Sequence, residues 1–285
     1  MAGSPSMRRR RLAAELRQLR NNNDFSIDDV AGTLKWPTSK ISRIENRQVG
    51  ISTRDLRKML DLYQVKDQSY RDGLLEIARR ATERGWWQSY TGGVVSSSYA
   101  NLIGLEAEAA TIRTYEPELV PGLLQTADYA RAVIRAGRPA DTSQEIDRRV
   151  EVRLERQEIL VRSEPAPPKM SVVLNEGVLL RRVGSAEIMR AQIEHLMRKR
   201  DRGNVVVQIL PFSTGAHPAM VGPFKMLTFP DPADPGVVNV ENPTGAHALE
   251  RPEEIQAYEE IWGAIQAKAI SPDDSRAVMR TYALR

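Results

Sequence analysis

The chain has 285 residues, 41% apolar and 27% charged, and no cysteine. That length predicts two domains, each able to bury a core. The lack of cysteine excludes disulfides, thiolate metal sites and thiol nucleophiles, and it fits a cytoplasmic protein.

The net charge of +4 is unevenly spread. Residues 1–85 hold 18 Lys and Arg against 11 Asp and Glu, whereas residues 86–285 hold 23 against 26. A basic excess confined to the N-terminal part points to a polyanionic partner for that part only. No run of 18 apolar residues predicts a membrane span. A charged segment follows the basic N-terminus, so no secretory signal is expected.

In chain order, residues 1–7 are expected to be disordered. Arg8 to Arg11 open a helix whose apolar face is Leu12, Leu16 and Leu19. The four arginines are either a solvated helix start or a minor-groove or phosphate-binding arm. Asn21-Asn22-Asn23 reads as a turn. Ser26 suits the cap of a second helix, with Asp28 and Asp29 in its first turn, where the helix dipole favours negative charge. Ile27, Val30, Ala31 and Leu34 share one face. Pro37 forces Trp36 out of the helical region and separates this helix from the next. Thr38 or Ser39 can cap the third helix, and Ile41 and Ile44 give it a buried side.

The remaining face of that third helix is polar and cationic: Ser39, Lys40, Ser42, Arg43 and, a turn later, Arg47. Insertion into a major groove needs such donors, with side chains near the helix start reaching base edges and flanking ones holding phosphates. A polar face is also what any solvated helix shows. The short preceding helix, the Pro-marked turn and the charge bias favour the groove. After a loop at Val49–Ile51, Ser52 caps a fourth helix whose Leu56, Met59, Leu60 and Tyr63 close the core. Arg54 at its start is a phosphate-contact candidate or a solvent-facing side chain. A fifth helix over 67–84 completes the unit.

The order RLAAELRQLR, FSIDDVA, TSKISRIENR and STRDLRKMLDLY resembles the lambda-repressor-like (Xre) helix-turn-helix domain over about residues 8–65, with Ser42-Arg43-Ile44-Glu45 as its core. The family often carries Gln at the position of Ile27 and Gly at that of Arg47. With the resemblance, the DNA-contact candidates are Ser26, Thr38, Ser39, Lys40, Ser42, Arg43, Arg47 and Arg54. Ser39, Lys40, Ser42 and Arg43 are the base-reading ones, and Arg47 and Arg54 the phosphate contacts.

Trp86-Trp87 either fill a junction between domains or form a partner interface. Beyond them the expected elements are a helix from Ala100 running into a strand at Ala110–Tyr115, then a break at Pro117 and Pro121. A helix capped by Thr126 carries Tyr129, Ala130, Val133 and Ile134 on one stripe. A long helix spans about 143–162, with Arg149, Arg153 and Arg156 on one side, read as a solvated face or an acidic-ligand site. Strand-like runs follow at 171–174, 178–180, 205–210, 223–229 and 237–241, with helices at 186–200 and 252–269. Ser271-Pro272 starts the last helix, which ends near Ala283.

Glu106–Tyr115, Val120-Pro121-Gly122-Leu123-Leu124-Gln125-Thr126, Tyr129-Ala130-Arg131, Arg156-Gln157, Gln208–Pro211 and Gly222-Pro223-Phe224 together resemble the C-terminal domain of actinobacterial WhiJ-type regulators over about 86–280. The resemblance implies an intracellular regulator of development or secondary metabolism. It also implies a small partner protein, in an arrangement likened to toxin–antitoxin pairs. In the Pro-Gly-Leu-Leu-Gln-Thr segment itself, Gly122 is expected to supply a turn conformation, with Leu123 and Leu124 packed.

No chemistry-bearing motif is evident in this half. His195, His217 and His247 lack metal-site spacing. Glu194-His195 is not a zinc-peptidase helix, because Leu196 and Lys199 stand where that motif needs Glu and His. Glu176, after a strand, is a turn residue or a pocket carboxylate. The expected architecture is mainly α with α+β: a five-helix helix-turn-helix domain at 8–84, then an α+β domain at 86–285 with a sheet of four or five strands. The expected function is sequence-specific transcription regulation on double-stranded DNA by a homodimer, with no cofactor, metal, membrane or catalytic role. An antitoxin-like module that sequesters a small protein and binds DNA for autoregulation is the alternative, and a metabolite sensor is a third idea.

Overall fold

The computed structural model describes residues 5–46, 48–80, 90, 94–200, 203–230, 234–242 and 245–284. Two compact units divide the chain, Met1–Ser89 and Tyr90–Arg285. Trp86, Trp87 and Arg47 lie outside the described residues, as do residues 1–4.

The first unit is built from helices α1 (Pro5–Asn22), α2 (Ile27–Leu34), α3 (Thr38–Glu45), α4 (Thr53–Leu62) and α5 (Gln68–Arg80). The first begins at Pro5, ahead of the expected Arg8. Leu12, Leu16, Val30, Ile41, Ile44, Leu56, Met59, Leu60 and Tyr63 form one buried cluster, closed from the α5 side by Leu74 and Ala78. Ser26 caps α2 in a reciprocal box: its hydroxyl accepts from the Asp29 N–H at 3.1 Å, and its own N–H donates to the Asp29 carboxylate at 2.8 Å. Ser52 caps α4 through its hydroxyl, which accepts from the Asp55 N–H at 3.0 Å.

The turn between α2 and α3 differs in detail from expectation. Lys35 adopts the left-handed region at φ 54° and ends α2, with the Trp36 N–H donating back to Ala31 at 2.9 Å. Pro37, extended at φ −61° and ψ 136°, takes the N-cap of α3 with no side-chain cap. Thr38 and Ser39 are therefore already inside the helix. The Thr38 hydroxyl turns instead to Asp28 at 3.2 Å.

The second unit is an α+β layer structure. Its elements are α6 (Ser97–Glu108), β1 (Thr111–Glu116), α7 (Ala127–Gly137), α8 (Ser143–Arg156), β2 (Lys169–Asn175), α9 (Gly177–Leu180), α10 (Ala186–Arg200), β3 (Val205–Leu210), β4 (Phe224–Thr228), β5 (Val237–Asn242), β6 (Gly245–Leu249), α11 (Pro252–Lys268) and α12 (Pro272–Ala283). The sheet has six strands in the order β3-β2-β1-β4-β5-β6, parallel from β1 to β3 and antiparallel from β1 to β6. That exceeds the expected four or five. The additional strand, β6, is GAHAL, a short edge segment with no apolar alternation to mark it. Val178–Leu180, expected as strand-like, is the single turn α9. Asn175 Oδ1 accepts from the Gly177 N–H at 2.9 Å and ends β2 there, and so short an apolar run carries no distinguishing period.

Side-chain alternation gives the sheet two unlike faces. Tyr115, Phe224, Met226 and Val238 pack with Trp262 and Ile265 of α11 in an apolar cluster. On the other face Thr114, Lys225 and Asn239 stand in register across β1, β4 and β5, all buried. The free edge of β3 is closed without another strand: Ile209 N–H donates to the Ser275 hydroxyl at 2.9 Å and its carbonyl accepts from Ile270 at 3.0 Å. Covering an edge in this manner removes a template for aggregation.

The polar face is held by a buried charge cluster. Glu106 of α6, fully closed to solvent, receives Lys225 Nζ at 2.6 Å and both donors of the Arg156 fork. Burial opposes its ionisation, but Arg156 and Lys225 outweigh that and hold the carboxyl at about 2. Glu116 is in the opposite situation. Burial pushes its carboxyl up to about 7, with Lys225 pulling it down and Glu241 adding to the rise. Between about 4.5, the ordinary glutamate value, and 7 the folded chain keeps a proton that the unfolded chain releases. Stability contributed by this group therefore falls as pH rises through that window, and the loss is complete above it. Glu116→Gln should remove the slope and raise stability at pH 8 by about 2 kcal/mol. Urea unfolding followed by circular dichroism at pH 5 and pH 8 reads this directly, and an identical pH slope in wild type and variant would contradict it.

Candidate nucleic-acid interface

Helix α3 sorts its residues by angle. At 100° per residue, Ser39, Ser42, Arg43 and Asn46 fall on one side, and Ile41, Ile44 and Glu45 on the other. The structure follows that division: Ile41, Ile44 and Glu45 are buried, and Ser39, Arg43 and Asn46 are exposed. Arg43 has no ion pair or side-chain hydrogen bond among the described residues, so its five donors are available to a ligand.

Glu45 fixes the rotation of the helix. Its side chain is 1% exposed and receives Arg20 Nε at 2.8 Å and Arg20 Nη2 at 3.0 Å. Arg20 also donates to the Phe25 carbonyl at 2.7 Å, so one guanidinium joins α1, the start of α2 and α3. Arg17, one turn earlier on α1, reaches Asn46 Oδ1 at 2.8 Å, and Asn46 donates in turn to the Ser42 hydroxyl at 3.2 Å. These two positions, Arg17 and Asn46, extend the exposed face and were missed by sequence reasoning. The Ser42–Asn46 spacing of four was the signal for one of them. Nothing local marked Arg17.

The other candidates sit as follows. Thr38 is exposed at the head of α3 and bonded to Asp28. Lys40 is at the margin of the face: its ammonium bonds Asp55 at 2.8 Å and lies 3.8 Å from the centroid of the Trp36 ring. In that position it braces α3 against the start of α4. Ser26 is exposed, with its hydroxyl donating to Asp29 at 2.6 Å and accepting from the same residue. Arg54, in the first turn of α4, is exposed and has no side-chain partner among the described residues. Its helix start is also where backbone N–H groups favour an anion.

Residues 99–281 match a family model described as Domain of unknown function (DUF5753), and residues 11–73 match one described as a Helix-turn-helix domain. The chain belongs to the DUF5753 family. Its helix-turn-helix domain suggests a DNA-binding regulator. No curated protein and no solved structure matches it. No helix among the described residues is long and apolar enough to cross a membrane.

Within the DUF5753 span, the segment 120–126 is a hub of amide hydrogen bonds. Gly122–Leu124 form a 3-10 turn with both leucines buried. Gln125 donates to the Val120 carbonyl at 2.7 Å, Gln157 to the Gly122 and Gln125 carbonyls, and Gln192 to that of Leu124. Gly122 spares a tight contact and needs no left-handed backbone: a Cβ there would come within 3.2 Å of Arg156 Nη1. Arg149, Arg153 and Arg156 do not form one solvated face. Arg156 is buried on Glu106 and Arg149 pairs with Asp141 at 2.7 Å. Glu176 accepts from the Phe212 N–H and the Tyr282 hydroxyl, both at 2.9 Å, and fastens α12 to the end of β2.

Glu45→Ala would leave the partly buried Arg20 guanidinium without its counter-charge. The expected cost is about 2–4 kcal/mol of stability in the first unit. Thermal and urea unfolding monitored at that unit measure it, and a loss below about 0.5 kcal/mol, ordinary for surface changes, would contradict the bracing role.

Proposed function

We propose that this protein is a sequence-specific transcription regulator that lays the outer face of α3 in the major groove of double-stranded DNA. The carrying observation is that face itself: Ser39, Ser42, Arg43 and Asn46 are turned away from the core by the ion pair of buried Glu45 with Arg20 on the opposite side of the same helix. Ser39, Ser42 and Arg43 read base edges in this account, Arg54 holds a phosphate, and Lys40 is a brace that reaches DNA only by leaving Asp55. The uneven basic charge of residues 1–85 supports a polyanion as the partner. Chain size supports a homodimer, because one small helical domain buries too little surface for tight selective binding and a second copy doubles the contacts. The reading includes a cytoplasmic location and no catalysis; Glu106 and Glu176, two carboxylates that sequence or burial singles out, are both engaged in fastening helices.

Selection of duplexes from a random pool supplies the site for the test. Arg43→Ala should weaken binding to that site by about 1–3 kcal/mol and relax preference at one base position. Arg54→Ala should weaken all sequences alike and reduce the slope of log K against log salt by about one. Unchanged base preference in Arg43→Ala would remove its reading role. A full-length protein that forms no salt-sensitive complex with any duplex would overturn the function.

A further inference from the structure

A cavity of about 450 Å³ opens in the second unit between α6, α7, α8 and the β5–β6 end of the sheet. Its volume lies within the range of small-molecule sites. Two kinds of surface line it. Leu102, Val133 and Ile134 give an apolar wall, and three arginines, Arg138, Arg149 and Arg153, line the same space. Glu241 is the lone carboxylate in the lining.

The guanidiniums are unequally engaged. Arg149 is paired with Asp141, as described above. Arg153 donates one Nη to Gln125 Oε1 at 2.7 Å, and its buried Nε has no hydrogen-bond partner among the described residues. Arg138, just past the end of α7, is exposed and has no carboxylate partner among them. Tyr99, also in the lining, accepts from Arg156 Nη1 at 2.9 Å. Donors and positive charge thus outnumber acceptors around a space with an apolar side.

We infer that this cavity binds a small organic anion with a compact apolar body, its acidic group on Arg138 and Arg153 and its body against Leu102 and Val133. The site lies wholly within the second unit and is independent of the DNA reading.

The probe is 8-anilinonaphthalene-1-sulfonate, an aryl body bearing one anionic group, with N-phenyl-1-naphthylamine as the same body without the charge. Fluorescence titration of the full chain should show one saturable site for the sulfonate. Arg138→Gln should raise its Kd roughly tenfold and leave the neutral compound's Kd unchanged. Gly137 lines the same cavity, and a Cβ there meets nothing within 4 Å, so Gly137→Leu should fill space without a backbone clash and abolish binding of both. Near-ultraviolet circular dichroism confirms that each variant is folded. Absence of a saturable site, or a sulfonate Kd that neither variant changes, would overturn the inference.

Discussion

The Glu45 carboxylate, shut off from water and gripped by two nitrogens of Arg20, is the constraint on which the first unit depends. A buried carboxylate is tolerable only with a hydrogen-bonded counter-charge, and this one is satisfied in a single rotation of α3. That rotation buries Ile41 and Ile44 and leaves Ser39, Ser42, Arg43 and Asn46 outside. Hydrophobic burial alone would hold the helix against the bundle but would tolerate some turning about its axis. The ion pair adds direction. Lys40 works to the same end from the opposite margin, since its bond to Asp55 and its seat over Trp36 tie α3 to its neighbours. Cations at this surface therefore divide into those that hold the helix and those that it presents.

The second unit uses buried charge for a different purpose. Glu106, Arg156 and Lys225 join α6, α8 and β4 across the polar face of the sheet. Arg156 comes close enough to Gly122 that a Cβ there would crowd its Nη1 at 3.2 Å, and Gln157, next in sequence, holds the backbone of the same segment. The charge cluster and the glutamine amides thus set the wall from which Tyr99 and Arg153 reach the adjoining cavity. An apolar core in place of the cluster could be as stable. It would not place the Arg156 guanidinium on the Tyr99 hydroxyl, and Tyr99 is where the packing of the unit meets the inferred ligand site.

Much of the first unit was legible in the sequence. Ser26 followed three residues later by Asp29, and Ser52 followed by Asp55, are local signals whose partners lie within one turn. The spacing of Ile41 and Ile44 likewise needs only the helical period. Arg20 and Glu45 are 25 residues apart, and no local pattern states that they meet. The same is true of Lys40 and Asp55, so the lysine read as a groove contact is observed as a brace. In the second unit, Val205–Leu210 was legible through its apolar run. β6 was not, because an exposed edge strand of small residues shows no alternation. Arg156 was read as a member of a cationic stripe because Glu106, 50 residues away, cannot be seen from the helix alone.

The absence of cysteine from the chain permits a direct test of whether α3 is held with its outer face toward a duplex. A single Ser42→Cys variant, labelled with tethered iron-EDTA and bound to a selected duplex, would cut the DNA wherever that face lies. Cuts are expected within the bound site, offset between the strands as for a major-groove source. A stable complex in which position 42 produces no cleavage would contradict that placement.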